Sequence, residues 1–388
     1  MSTPKKINKP KILNVDIVEN KAKTMTKKKA EKTPTSPKKT VKSAVLQKLI
    51  IDLNKKFGAN AVSIGVPKEL DGSIKLIERI PTGSFALDLA LGGGIPVGRF
   101  TEMSGAYSST KTTQALHIIK KAQMMGLTSA LIDVEGTTDE AFLKVFGIDI
   151  DNLIYSRPDG TEEATQLILD LQRSGEVQVA VLDSIAAMSP NKEQETAMDD
   201  TMRMGIPQQL LGEFFRKYQA NNNRLEREGK RPFTLIGINQ LREKIGAYGD
   251  PEYTPGGRAK SFAASVDLRL RRGDWITEGT GDSKEIVGQV VKFKVDKNKT
   301  YKRMQSGEFD FYFADNNAGI DPFYNDNYKE VIVSAVEWGI IERGGAWFSY
   351  DGNKWQGLNA VVEALKDNID LIEKLKKDII QLVMRKGD

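Results

Sequence analysis

The middle of the chain alternates apolar runs with stretches of helical spacing. Strands are predicted at 99–104, 129–133, 177–183 and 233–239, and helices at 161–174 and 207–228 precede the last two. Buried strands that alternate with helices form parallel sheets with both faces covered. The predicted fold class is therefore α/β, with a mainly parallel central sheet flanked by helices.

The pattern changes after residue 265, where apolar and polar residues alternate. Residues 266–270, 286–295 and 308–313 predict antiparallel strands. We assign 75–316 to this core. The remaining residues, 317–388, predict a small α+β module with a helix at 328–338, a hairpin that turns at Asp351-Gly352, and one or two terminal helices.

The N-terminal part divides into two stretches. Residues 1–42 hold thirteen lysines and three acidic residues, a balance of +10 in a chain whose net charge is +5. This stretch is predicted to be disordered, either as a solvated tail or as a basic arm on nucleic-acid phosphates, and its apolar patch 12–18 offers a third reading, an added strand on a partner. Residues 43–74 begin with an amphipathic helix that ends near Gly58, which needs its own core or a neighbouring subunit to pack on.

Composition removes several classes of site. The chain has no cysteine and one histidine, His117, which lies inside a predicted helix and is expected to be packed there. Thiolate zinc sites, histidine metal clusters and Ser-His-Asp triads are therefore nearly excluded. No apolar run is long enough to span a membrane and the Lys-rich start is not a secretory signal, so we expect a reducing, cytoplasmic location.

A phosphate-binding loop is predicted between the first strand and the next helix. The sequence GAYSSTKTT at 105–113 approximates the pattern G-x-x-x-x-G-K-[ST], in which backbone N–H groups wrap phosphates. Lys111 would reach the outer phosphates, and the Thr112 hydroxyl would bind Mg²⁺. Thr110 replaces the second glycine and would be strained if φ there is positive. The candidate ATP-binding residues in this loop are Gly105, Ser108, Ser109, Thr110, Lys111, Thr112 and Thr113. The alternative is a Ser/Thr-rich helix start that binds nothing.

Polar residues also follow the other three predicted strands. Ligands of parallel sheets bind at the carboxyl ends of the strands. Asp183, after four apolar residues, suits a Mg²⁺ carboxylate, and Glu135 suits a base that orients or deprotonates water. Gln240 would hydrogen-bond the γ-phosphate. Each residue alone is more often a strand cap or turn residue, but their occurrence together after the loop favours a nucleotide site.

With these motifs, the chain from about residue 43 to its end resembles RecA-type DNA strand-exchange recombinases. The resemblance is carried by IPTGSFALD at 80–88, the loop 105–113, DVE at 133–135, VLDSIA at 181–186, NQLREKIG at 239–246, PGG at 255–257, KNK at 297–299 and GAWFSY at 345–350. It implies a P-loop ATPase core with a C-terminal domain, Mg²⁺ and ATP as cofactors, single- and double-stranded DNA as partners, and a helical filament of identical chains. Single-strand-binding and loading proteins are further expected partners, and no membrane is involved.

The resemblance also assigns roles to residues that the pattern alone does not. Asp139 and Phe142 fall on the adenine site, and Lys297 and Lys299 on a pair that reaches the ATP of the adjacent subunit. Phe262 falls on the filament interface. Expected DNA-binding residues, in and near two loops at about 188–207 and 241–255, are Met204, Gly205, Arg216, Arg242, Lys244, Tyr248, Gly256 and Gly257.

Departures from the family pattern leave alternatives open. Thr110 replaces a loop glycine, Glu243 replaces an apolar residue of the second DNA loop, and Gln209 stands where an arginine is expected. The primary interpretation is a DNA-stimulated ATPase that catalyses strand exchange. The alternatives are a hydrolysis-deficient DNA-binding filament protein and a ring-forming helicase or clock-type ATPase on the same core. The basic arm and the absence of an acidic C-terminal tail favour a phage or plasmid source.

Overall fold

The computed structural model describes residues 44–58, 61–63, 77–188, 206–243 and 252–385. The predicted disordered arm and the candidates Met204, Gly205, Lys244 and Tyr248 lie outside these residues. The chain divides into two units with the boundary between Asp52 and Leu53. The predicted amphipathic helix, α1 (Ala44–Phe57), crosses that boundary and is followed by Gly58. In the second unit, Asn54 ties the end of α1 to the next residues by two hydrogen bonds with the Val62 backbone, of 2.8 and 2.9 Å.

Several of the other helices lie close to predicted positions, whereas those at 140–145 and 257–263 were not predicted. The other helices are α2 (Phe85–Leu91), α3 (Lys111–Met124), α4 (Glu140–Val145), α5 (Thr161–Ser174), α6 (Ile206–Arg227), α7 (Gly257–Ala263), α8 (Asn327–Glu337), α9 (Leu358–Lys366) and α10 (Ile369–Arg385). None in the described ranges is long and apolar enough to cross a membrane. His117 is buried in α3, as predicted, and hydrogen-bonds the Phe323 carbonyl.

The strands in the described ranges form one large sheet and three small ones. They are β1 (Arg79–Ile80), β2 (Ile95–Pro96), β3 (Phe100–Gly105), β4 (Ser129–Asp133), β5 (Leu153–Ser156), β6 (Val179–Asp183), β7 (Thr234–Gln240), β8 (Arg242–Glu243), β9 (Glu252–Tyr253), β10 (Val266–Glu278), β11 (Glu285–Asn298), β12 (Gln305–Tyr312), β13 (Glu342–Gly344), β14 (Trp347–Tyr350) and β15 (Asn353–Gln356). The large sheet has the order β12-β11-β10-β3-β7-β6-β4-β5.

The predicted antiparallel pairing of residues 266–270 was right for one neighbouring strand and wrong for the other. β10 pairs antiparallel with β11 but parallel with β3, so it continues the parallel part of the sheet. Only β11 runs against the rest, since β12 reverses direction again. Short β5 lies at the far edge, where its partly exposed side chains gave no buried apolar run to detect.

Helices cover both faces of the large sheet, which confirms the predicted fold class. Successive residues of β4 point to opposite faces: Leu131 joins the core around α3, whereas Ala130 and Ile132 join the core around α5 and α6. This alternation follows from the two-residue period of a strand. The parallel strands therefore end at one edge, where α3 begins.

The C-terminal part has its own apolar core and is tied to the start of α2 by buried polar contacts. Glu330 of α8 accepts hydrogen bonds from the Ser84 hydroxyl (2.7 Å) and the Ala86 amide (2.8 Å). Asn327 accepts from the Phe85 amide at 3.0 Å. The N–H groups at the start of α2, which have no acceptor within the helix, are thus satisfied from α8.

Glu330 should make stability depend on pH. Burial raises the pKa of Glu330 to about 8, although the hydrogen bonds from Ala86 and Ser84 lower it. The folded pKa then exceeds the ordinary value of 4.5, so the folded state holds a proton that the unfolded state has lost. Stability from this group is complete at low pH and is lost as the pH rises from about 4.5 to about 8.

Glu330→Gln should flatten this dependence, because an amide does not ionise. Thermal unfolding should be measured between about pH 6 and about pH 8, which lies within the predicted window. Over this range the Tm of the wild type should fall more steeply with pH than the Tm of the variant. Glu337→Gln, at an exposed position of the same helix, is the control and should keep the wild-type slope. Equal slopes for all three chains would contradict the assignment.

Candidate functional site

The phosphate loop joins β3 to α3 and contains two residues in the left-handed conformation. Ser108 and Thr110 have φ values of 58° and 64°. Thr110 precedes α3 without capping it through its side chain. The positive φ considered for Thr110 from the sequence is therefore present. A β-branched residue occupies a backbone conformation that glycine would adopt without strain. Gly105 is required for a different reason, since a Cβ there would lie 2.3 Å from Ser109 Oγ and 2.5 Å from the Leu270 carbonyl oxygen.

The phosphate loop is held by hydrogen bonds among its own residues and by one from β11. The Ser109 hydroxyl and the Lys111 ammonium both donate to the Ala106 carbonyl, at 2.7 and 2.8 Å. From β11, the buried Gln289 amide donates to the Ser108 carbonyl at 3.1 Å. Gln289 was not predicted from the sequence, where its only signal is a polar residue among the apolar ones of a strand.

The four predicted strand ends meet beside this loop. The Thr112 hydroxyl donates to Asp183 Oδ2 at 2.7 Å. Glu135 Oε1 accepts from the Ser184 hydroxyl at 2.6 Å and from the Gln240 amide at 3.1 Å. The structure thus gathers Lys111, Thr112, Glu135, Asp183 and Gln240 at one edge of the sheet.

Burial and charge set the protonation of this cluster. Burial raises the pKa of Asp183 to about 6, the Thr112 hydroxyl lowers it, and the nearby Glu135 and Asp133 carboxylates raise it. Burial lowers the pKa of Lys111, while the attraction of Asp183 and Glu135 raises it. A carboxylate that is hard to ionise when alone is one that a bound cation would stabilise in its charged form.

The donor set fits Mg²⁺. The hydroxyl of Thr112 and the carboxylate of Asp183 are hard oxygen ligands within hydrogen-bond distance of each other. No group of three or more acidic or histidine side chains that could hold a metal occurs in the described ranges. Mg²⁺ is typically held by one or two protein oxygens together with phosphates and water, so the sparse set agrees with a nucleotide-bound ion.

Asp133 fixes the segment that carries Glu135. Its carboxylate accepts from the Gly136 amide (2.8 Å), the Thr138 amide (3.0 Å) and the Tyr155 hydroxyl (2.9 Å). Arg157 adds an ion pair at 3.8 Å. Sequence reasoning used Asp133 only as part of a motif and missed this role, because Tyr155 and Arg157 lie on β5 and just after it.

The two adenine candidates lie at the start of α4. Asp139 caps this helix by accepting from the Phe142 amide at 2.7 Å. The half-buried Phe142 ring packs edge-on against Phe146 and Phe323, with centroids 5.0 and 5.5 Å away. Asp139 thus has a structural role of its own, and Phe142 is held firmly enough to offer a fixed surface.

Lys297 and Lys299 lie at the opposite end of the sheet. Lys297 is paired with Asp267, which is level with Glu102 in the first half of β3, whereas Gly105 ends that strand. The two ammonium groups donate to carbonyls of α7, Lys297 to Ser261 at 2.5 Å and Lys299 to Phe262 at 2.9 Å. The structure does not bring this pair to the phosphate loop of the same chain.

Phe262 and Arg216 lie beside the lysine pair. The Phe262 side chain is 72% exposed. Together with Arg216, Lys299 and Arg99 it lines a cavity of about 610 Å³. Arg216 and Arg242, which were both predicted to bind DNA, line different cavities.

The described DNA-binding candidates Arg242 and Gly256 share one cavity of about 350 Å³. Met188, Gln208 and Tyr253 also line it. These residues flank the two predicted DNA loops, so the ends of both loops converge. Gly256 and Gly257 both have positive φ, 102° and 71°, at the start of α7, where glycine avoids strain.

Thr110→Gly should stabilise the protein. The substitution relieves the strain of a β-branched residue in the left-handed region, but glycine adds conformational entropy to the unfolded chain. The relief of strain should be the larger effect, with a net gain of about 1 kcal/mol in the free energy of unfolding. Chemical denaturation would measure it. Thr113→Gly, in the first turn of α3, is the matched control and should lose about 0.3 kcal/mol. A loss of stability in both variants would contradict the strain at residue 110.

Comparisons with known proteins agree with this architecture. The sequence model of the RecA N-terminal domain matches residues 44–320, and that of the RecA C-terminal domain matches residues 329–384. The chain is 40% identical over 342 residues to Protein RecA of Ruminococcus albus, which covers 87% of this chain and 80% of that protein. It is 37% identical over 350 residues to Protein RecA of Acinetobacter baumannii, with 89% and 93% covered.

A third relative shows the same extent of similarity. Protein RecA of Bacteroides thetaiotaomicron is 38% identical over 348 residues, with 89% of this chain and 98% of that protein covered. Both domain matches and nearly full-length relatives therefore agree with the motifs at the sheet edge. The chain belongs to the RecA family, the family of DNA recombination and strand-exchange proteins.

Proposed function

We propose that this chain is a DNA-stimulated ATPase that forms a helical filament on single-stranded DNA and exchanges strands with a homologous duplex. ATP is bound at the seam between consecutive subunits. The observation that carries this proposal is the division of the charged groups between the two ends of one sheet. The phosphate loop, Glu135 and Asp183 lie at the carboxyl ends, and Lys297 and Lys299 at the other end.

Within one chain, the lysine pair lies too far from the phosphate loop to contact a nucleotide bound there. Lys299 is joined through Ser265 to Phe100, at the start of β3, and Gly105 ends that strand. Five residue steps along an extended strand span about 16 Å. A lysine side chain does not cross that distance, so the pair reaches a nucleotide only if a second copy presents its phosphate loop.

Opposite ends that fit each other make a head-to-tail contact. Such a contact joins different surfaces of two copies and continues as an open helix when it does not close into a ring. The exposed Phe262 beside the lysine pair suits the centre of such a contact, because large aromatic side chains anchor interfaces. We further propose that the helix at 45–57 and the segment at 61–64 dock on the next subunit.

The residues have distinct parts in hydrolysis. Glu135, oriented by Ser184 and Gln240, accepts the proton of a water that attacks the γ-phosphorus, and the bond to the bridging oxygen breaks. Backbone groups of the loop and Lys111 bind the phosphates. Thr112 and Asp183 would hold Mg²⁺, which neutralises charge on the phosphate oxygens. Lys297 and Lys299 of the neighbouring subunit supply further positive charge to the transition state.

Gln240 is the proposed link between nucleotide and DNA. Its amide contacts Glu135, and the chain continues directly to Arg242 at the cavity where both loop ends converge. Arg242 is exposed and available to phosphates. The basic stretch 1–42 is proposed to add salt-dependent affinity without sequence preference. A cytoplasmic location, loading partners and a phage or plasmid source complete the proposal.

A second candidate is a filament protein that binds DNA and ATP but hydrolyses poorly. The left-handed Thr110 favours it, because a distorted loop would place the γ-phosphate away from Glu135. The two candidates predict the same DNA binding and differ in phosphate release.

Phosphate release decides between them. The recombinase should release phosphate faster when single-stranded DNA is added, and Lys111→Ala should lower that rate by at least about 100-fold through lost charge on the phosphates. Lys144→Ala, an exposed lysine of α4, is the control and should leave the rate unchanged. ATP-dependent DNA binding without phosphate release would favour the second candidate, and the absence of both would refute the proposal.

A further inference from the structure

The short helix α7 is attached to two parts of the proposed site. Its first turn carries Gly257, next to the cavity at the DNA-loop ends. Its last carbonyls, of Ser261 and Phe262, receive Lys297 and Lys299. Any displacement of α7 would therefore move the lysine pair and the DNA-loop end together.

A buried ion pair fastens α7 to the strand that carries the phosphate loop. Lys260 of α7 is fully buried, and its ammonium contacts Glu102 Oε1 of β3, which is 1% exposed. The same ammonium donates to the Thr254 hydroxyl at 2.6 Å. Burial lowers the pKa of Lys260 and the attraction of Glu102 raises it.

The same carboxylate oxygen also holds the strand that carries Gln240. The Asn239 amide donates to Glu102 Oε1 and to the Pro255 carbonyl, both at 2.9 Å. The backbone N–H of Gln240 in turn donates to Asn239 Oδ1 at 3.0 Å. One oxygen of Glu102 thus joins β3, β7 and α7, while Oε2 has no hydrogen-bond partner among the described residues.

Stability alone does not explain this arrangement. Two buried charges are costly to remove from water, and apolar side chains of similar size often serve a core equally well. What the pair provides instead is a fixed geometry, because an ammonium shared by a carboxylate and a hydroxyl allows little freedom.

We propose that the Glu102–Lys260 ion pair positions α7 relative to Gln240, and so transmits the nucleotide state to the DNA-loop ends and the lysine pair. The inference rests on the proposed function, because it names residues through which nucleotide and DNA binding affect each other. Glu102 and Lys260 are positioning residues, since neither lies among the groups that face the phosphates.

The double variant Glu102→Met, Lys260→Met tests the inference. It removes both charges together, so neither remains buried alone. The measured quantity is the ratio of the Kd for single-stranded DNA without and with a non-hydrolysable ATP analogue. In the double variant this ratio should fall to about one, while the Kd of a fluorescent ADP analogue stays within about threefold of the wild type.

Two further variants make the result decisive. Thr254→Val removes only the hydroxyl that holds Lys260 and should lower the ratio at least about twofold in a chain that still unfolds cooperatively. Lys329→Met breaks the Lys329–Asp310 ion pair between α8 and β12 and is the control. It should keep the wild-type ratio even if its Tm falls.

The outcomes separate the inference from the function on which it rests. A wild-type chain whose DNA affinity ignores the ATP analogue refutes the proposed function. A wild-type ratio in the folded double variant overturns the inference while leaving that function intact. If the double variant gives no cooperative unfolding, a wild-type ratio in Thr254→Val overturns it instead.

Discussion

A sheet fixes the distance between the two ends of its strands, and here those ends carry complementary charges. The phosphate loop and its carboxylates follow the ends of β3, β4 and β6, whereas Lys297 and Lys299 lie beside the strand starts. The sheet is rigid because helices cover both faces with buried apolar side chains. Within one chain the phosphate loop and the lysine pair cannot approach each other, so the ATP site that we propose depends on a second copy.

The site also shows how strain and hydrogen bonding balance within a small loop. Ser108 and Thr110 both adopt left-handed conformations that cost energy for residues with a Cβ. Several bonds offset that cost: Ser109 and Lys111 converge on the Ala106 carbonyl, and Gln289 supports the loop from β11. Such a loop is shaped before any ligand binds, which lowers the ordering cost of binding.

Much of the fold followed from local patterns. Residues 130–132 form an unbroken apolar run because helices cover both faces of that strand, and the helix at 161–174 was predicted to the residue. The meeting of Glu135, Asp183 and Gln240 was also predictable, since parallel strands end at one edge. The strand β5 was missed because an edge strand needs no buried run.

Other parts of the site depend on contacts that no local pattern records. Gln289 lies 181 positions from Ser108, and Lys260 lies 158 positions from Glu102. Arg216 reads as one more basic residue, and its place beside Phe262 rather than Arg242 follows from the packing of α6. In each case the residue type was visible, but its partner was set by tertiary structure.

The central claim is that each ATP site is completed by the neighbouring chain, and mixing two inactive variants tests it directly. Glu135→Gln keeps the lysine pair, and the double variant Lys297→Ala, Lys299→Ala keeps Glu135. The account predicts little DNA-stimulated phosphate release from either alone and about a quarter of the wild-type rate from an equal mixture, because random neighbours complete that share of seams. A mixture as inactive as its components would contradict it.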